Sequence, residues 1–216
     1  MPKPAPLEVQ ESLPWVDTSA FFLSTENGRK ERMRMQRTDA ETHAHLCAHE
    51  AGHIVNAWLS PFVAQLEGLT FKPGHNARFS FTGRQMRRAI DDWYRLTITL
   101  GGLAGEIFVF GNFRSANSSS DLEQARVEAE RIVAQDTRAP WTLVVGAWHL
   151  PFEQMYRRPL SPAVTSVMVE CYRKARKTIH DCQDAFARAS KAVDGRRNMT
   201  GPELNQLFGP RPWAGL

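Results

Sequence analysis

The sequence predicts a mainly α-helical fold with one small β-hairpin beside the helices. Two observations carry this. From residue 38 onward, apolar residues recur mostly at three- and four-residue spacing, in segments that open on helix-capping residues and close on Gly or Pro. One region only, 66–82, instead concentrates aromatic and β-branched residues around a Pro73-Gly74-His75-Asn76 turn. With 216 residues, 42% of them hydrophobic, the chain can bury one substantial core. Its net charge of +4 is modest and scattered, which argues against a dedicated nucleic-acid binder.

Residues 1–37, with Pro2, Pro4, Pro6 and Pro14 and a basic run ending at Arg37, read as an N-terminal extension, and 38–216 as the domain. Thr38-Asp39-Ala40-Glu41 has the form of a capping box and predicts a helix from there to Ser60, stopped by Pro61. The hairpin comes next. From about Gln85 the set Met86, Ile90, Trp93, Leu96, Leu100 and Leu103 predicts one helix ending near Gly111, weakened at Gly101 and Gly102. Ser120 and Glu123 suggest a second capping box and a helix running towards Gln135. Ser161-Pro162 opens a long amphipathic helix whose buried face would hold Val167, Met168, Cys171, Tyr172, Ala175 and Ile179. Thr200-Gly201-Pro202-Glu203 opens a short last helix closed by Gly209-Pro210.

The three cysteines, Cys47, Cys171 and Cys182, have no paired spacing and favour a reducing, cytoplasmic setting. No segment predicts a membrane span: the longest apolar stretch, 96–110, contains three glycines and Glu106. There is no Gly-x-x-x-x-Gly-Lys-[Ser/Thr] phosphate loop.

The chemistry concentrates in His49-Glu50-Ala51-Gly52-His53. On a helix, positions i and i+4 share a face, so His49 and His53 can present imidazole nitrogens to one zinc ion, with Glu50 beside it as a proton-transfer base. Gly52 costs roughly 1 kcal/mol in a helix relative to Ala, which suits a close approach by another backbone or a ligand. Catalytic zinc needs a third protein ligand, and Glu106, Asp121, Glu123, Glu128 and Glu130 are candidates. Asp121 has a local argument, since the predicted capping box puts it in a first helical turn, where the macrodipole favours the ionised carboxylate. His45 lies one turn before His49 and is set aside as a ligand. His43, His75 and His149 read as isolated, and Cys47 as a small buried hydrophobe facing away from the His49/His53 stripe.

Five blocks, AHEAGHIVNA (48–57), LGGLAGEIFVFG (100–111), SSSDLEQARVEAERIV (118–133), VECYRKARKTI (169–179) and MTGPELNQLF (199–208), appear in the order and approximate spacing of a known family. By them the chain resembles the zinc peptidase domain of the FtsH-type ATP-dependent metalloproteases, from about Thr38 to Phe208. The resemblance implies a helical, zincin-like domain with a small β element beside the active-site helix. It further implies a Zn2+ site of His49, His53 and Asp121, with Glu50 as the catalytic base. Glu106 would orient a ligand histidine from behind, and it is the fallback third ligand. The family normally carries transmembrane segments and an ATPase module ahead of the peptidase; neither is found in these residues. The block around Glu106 has Leu103 and Ile107 where an arginine and a second glutamate are usual.

The expected function is that of a zinc metallopeptidase, an endopeptidase that cuts peptides or unfolded proteins by a zinc-activated water without its own ATPase. A separate ATPase or a homo-oligomer are conceivable partners, and no nucleic acid is expected. The alternative is a catalytically silent module that keeps the fold to bind a peptide or protein. A weaker third reading, binding of nucleic acid or a membrane surface by the basic 28–37 run, would show as salt-dependent binding lost on deleting 1–37.

Overall fold

A computed structural model of the chain describes residues 28–72, 76–83, 89–135, 156, 159–195, 197–209 and 211. The chain separates into two compact units, Met1–Asp39 and Ala40–Leu216. The second carries everything discussed below. Its elements, in order, are the greater part of helix α1 (Gly28–Trp58), strands β1 (Val63–Lys72) and β2 (Asn76–Gly83), helices α2 (Ala89–Thr99), α3 (Gly101–Phe110), α4 (Ser115–Ala134), α5 (Pro162–Asp181) and α6 (Gln183–Asp194), strand β3 (Met199–Thr200) and helix α7 (Gly201–Phe208). The fold is mainly α, as the periodicities predict.

Three helix boundaries differ from the sequence reading. α1 begins at Gly28 rather than at Thr38, because the Arg, Lys, Glu, Met and Gln residues of 29–36 are good helix formers and carry the helix straight through the apparent cap. The single helix expected from 85 to 111 is two, α2 and α3, divided at Leu100, whose ψ of -5° departs from the helical value just before Gly101-Gly102. α4 begins at Ser115, not Ser120, with Arg114 as its N-cap residue. The reading of α5 and α7 needs no such change. The Ser161 hydroxyl accepts from the Val164 amide ahead of Pro162, all six apolar residues named for α5 are buried, and Thr200 and Glu203 form a reciprocal capping box. The proposed turn at 73–76 lies largely outside the described residues.

β1 is the middle strand of an antiparallel sheet ordered β2-β1-β3, so β2 forms one edge. α5 packs against α2, α3 and α4, and α7 packs on β1. One apolar core joins these layers, with Ile54, Leu66, Leu96, Leu103, Ile132, Met168, Ile179 and Phe186 fully buried. α1 and α3 meet backbone to backbone. A Cβ on Gly52 would lie 2.0 Å from the Gly101 carbonyl oxygen, so the glycine in the middle of the His49–His53 segment is what lets α3 slide under it. Among the described residues no helix is long and apolar enough to cross a membrane, and none of the three cysteines is in a disulfide.

Candidate metal centre

α1 turns His45, His49 and His53 to one side, one helical turn apart, towards α3 and the start of α4. His49 and Glu50 are buried, and His53 is half-buried. The Nε2 atoms of His49 and His53 lie 3.1 Å apart, and Oδ2 of Asp121, from α4, is 2.9 Å from each. Three donors from two helices thus converge on one point.

The hydrogen bonds behind the imidazoles decide which nitrogen faces that point. His53 Nδ1 is 2.8 Å from the Ile98 carbonyl oxygen, which can only accept, so Nδ1–H donates and the Nε2 lone pair is left for a ligand. His49 Nδ1–H donates to Oε1 of Glu106 at 2.8 Å, with the same result. Glu106 has no solvent-exposed surface and serves four donors: His49, His45 through Nδ1 at 2.8 Å, the Ser118 hydroxyl at 3.0 Å and the Arg114 amide at 2.9 Å. Burial would raise its carboxyl, but the bonds from His45 and His49 outweigh that and hold it at about 2. It is therefore a fixed negative charge under the site.

The donor set fits a divalent ion. Tetrahedral zinc with bonds of about 2.0–2.1 Å separates its N and O ligands by roughly 3.3 Å, close to the spacings here. The electrostatics agree. Burial disfavours a charged His49, yet the hydrogen bonds it donates to Asp121 and Glu106 prevail and push it up to about 10. His53 is raised against burial by Asp121 in the same way. Burial alone would raise the Asp121 carboxyl, but the two histidines, His53 foremost, hold it well below the ordinary carboxylate range. The pocket thus favours positive charge at the point where the three donors meet. Gly102 keeps it open: a Cβ there would lie 2.5 Å from His53 Nε2 and 2.7 Å from His49 Nε2.

Glu50 stands beside this point and accepts from the Phe79 amide of β2 at 3.2 Å. Burial raises its carboxyl, with the His53 and His49 charges pulling the other way. Phe79 pairs with Leu69 in the β1–β2 ladder, and its N–H points away from β1 towards Glu50 on α1. Between β2 and the histidines runs a cleft of about 730 Å3, lined by His49, Glu50, His53 and Asp121 on one side and Ala77, Phe79 and Phe81 on the other.

His49, Glu50, His53, Asp121 and Glu106 are thus brought together. The remaining candidates are not. Glu123 and Glu130 pair with Arg126 at the exposed side of α4, while Glu128 is buried away from the donors, paired with Arg95 and accepting from Thr99 and Gln124. Asp121 lies in the second turn of α4, so the first-turn dipole argument for it fails, and the two imidazoles take its place as the cause. His45 is not among the three converging donors; it shares Glu106 with His49 and stacks on Phe110 at 4.0 Å between ring centroids. Its i−4 spacing from His49 was the available signal. His43, for which the sequence suggests a surface or hydrogen-bonded place, lies 3.1 Å from Asp194. His75 and His149 lie outside the described residues.

No protein-family model matches the chain. Among curated proteins it is similar to the ATP-dependent zinc metalloprotease FtsH of Kosmotoga olearia, 26% identical over 181 residues that make up 74% of this chain and 28% of that protein. The FtsH of Syntrophobacter fumaroxidans is 24% identical over 183 residues, with the same coverage of both chains. The FtsH 4 of Sphaerobacter thermophilus is 25% identical over 210 residues, 86% of this chain and 30% of that one. The similarity relates the chain distantly to proteins named zinc metalloproteases, and the chain spans less than a third of their length.

Proposed function

We propose that the chain is a zinc metallopeptidase, an endopeptidase that hydrolyses peptide bonds of unfolded proteins or peptides, with His49, His53 and Asp121 as the zinc ligands and Glu50 as the base. The convergence of two Nε2 atoms and one carboxylate oxygen within 3.1 Å, with Glu50 alongside, carries this reading. Bound there, zinc would supply Lewis acidity to a water molecule and to the scissile carbonyl.

The chain's own residues do the rest. Glu106 and the Ile98 carbonyl lock both imidazoles with Nε2 facing inward, so the ligands need no reorientation. Glu50, raised by burial towards the working range of a general base, takes the proton of the attacking water and delivers it to the leaving amine. Among the described residues β2 is an edge strand, and its main-chain groups on the side away from β1, near Ala77 and Phe79, face the cleft and could align an extended peptide, with the Phe79 amide already held by Glu50. Recognition through main-chain groups suits substrates of varied sequence, and it requires them to be unfolded. None of these steps consumes ATP.

Cleavage of an unfolded protein without nucleotide, by zinc-loaded wild type and by Glu50→Gln, tests the proposal when bound zinc is quantified in both. The expected outcome is cleavage by wild type and a loss of about 10^2–10^4-fold in Glu50→Gln at equal zinc content. Equal zinc with no cleavage by either protein would reject the peptidase and favour a silent binding module.

A further inference from the structure

The opposite side of α1 carries a second convergence of metal-binding atoms. His43 and Cys47 are also four residues apart, and their Nε2 and Sγ atoms lie 3.5 Å from each other. Asp194, the last residue of α6, brings Oδ1 to 3.1 Å from His43 Nε2. All three donor atoms fall within 4.8 Å of one another, although Asp194 is 151 residues from His43 in sequence. We propose that His43, Cys47 and Asp194 form a second site for a zinc-like divalent ion, tying α1 to the C-terminal end of α6.

The distances suit it. With Zn–S near 2.3 Å and Zn–N near 2.0–2.1 Å, tetrahedral angles put sulfur and nitrogen about 3.5 Å apart, and nitrogen and oxygen about 3.3 Å apart. The observed 3.5 and 3.1 Å match these two separations, and the sulfur–oxygen pair lies within 4.8 Å. A thiolate, an imidazole and a carboxylate are a donor set for a borderline-soft ion rather than for Mg2+ or Ca2+. Burial is graded: Cys47 is 2% exposed, the His43 side chain 12% and the Asp194 side chain 65%. An ion can therefore reach the site from the Asp194 side, where water completes the coordination, and its binding releases the thiol proton to solvent. The same gradient argues against a nucleophilic role for Cys47, because a substrate carbonyl could not reach the sulfur. The site is distinct from the histidine–Asp121 centre, with which it shares no residue.

Titration of the metal-free full chain with Co2+, followed by absorbance, separates the two sites. A thiolate ligand gives an intense sulfur-to-cobalt charge-transfer band in the near ultraviolet, which the sulfur-free His49, His53 and Asp121 set cannot produce. The band should appear in wild type, saturate at about one thiolate-bound ion per chain, persist in His53→Ala and vanish in Cys47→Ser. Asp194→Asn changes an exposed position, and it keeps the test informative if Cys47→Ser does not fold. That variant should need at least about tenfold more Co2+ for half-saturation of the band. A wild type without the band, a band lost in His53→Ala, or a midpoint unmoved by Asp194→Asn would overturn the proposal. His43 and Asp194 would then be an ion pair between helices and nothing more.

Discussion

At Gly102 and Glu106, two residues of α3 that contribute no donor to the centre, the chain has almost no freedom to change. A methyl at 102 would occupy the space between the imidazoles, so Gly102→Ala should bind less than a tenth as much zinc as wild type at equal free metal, read by metal analysis on folded protein. Glu106→Gln keeps the shape but puts an amide N–H2 where one of the donors now points, and it removes the charge. Its zinc affinity should fall by about 10–100-fold in chelator competition. The His49–Glu50–His53 cluster could be read from sequence because helical spacing alone puts it on one face. The family resemblance points to Glu106 as the group behind a ligand histidine, but no local pattern shows its four donors, which come from 45, 49, 114 and 118 and meet only after folding. Asp121 is singled out by the family resemblance, and the local first-turn argument adds nothing to it. Its ionisation is fixed by histidines 68 and 72 residues away in sequence, an influence no local window contains.

At the scale of elements, α1 depends on a residue far along the chain. The Arg211 guanidinium donates to the carbonyls of Ala57, Trp58, Ser60, Val63 and Ala64, closing the C-terminal end of α1 and the turn into β1. Ala57 and Trp58 belong to the last turn of α1, where a helix leaves carbonyls short of intrahelical partners and a cation is favoured. Arg211→Ala should destabilise the fold by about 2–3 kcal/mol in urea unfolding, with Lys only partly restoring it. The α1–α3 crossing is equally demanding: Gly52→Ala should cost at least about 2 kcal/mol, because the added methyl meets backbone that cannot rotate aside. Sequence periodicity reported α5 correctly because its stripe is wide and its opening cap local. It missed the break at Leu100, where the apolar pattern runs on across both helices, and the α4 start, which has no side-chain cap. β3 is two residues long and leaves no pattern at all; pairing with β1 creates it.

For the molecule as a whole, the proposed zinc joins α1 to α4 across the core, so its removal should be felt globally. Chelation should lower the thermal midpoint by about 5–10 °C, the equivalent of roughly 2.7 kcal/mol for metal held at a hundredfold excess over its dissociation constant. Zinc affinity should also rise with pH. In the metal-free protein His49 is pushed up to about 10, so below that value zinc must displace its proton, and each displaced proton contributes about tenfold per pH unit. Affinity flat between pH 6 and 9 would contradict this. The mainly helical class with a hairpin was readable at this scale, since it needs only periodicity and one turn region.

The division of the three donors between a neighbouring pair and a distant third also bears on how the chain reaches its native state. His49 and His53 come together as soon as one turn of α1 forms, whereas Asp121 arrives only when the chain has closed a 68-residue loop. A newly made chain would therefore grip zinc weakly at first and firmly only once α4 has docked, so that the appearance of tight metal binding during refolding marks the moment the long-range packing is complete.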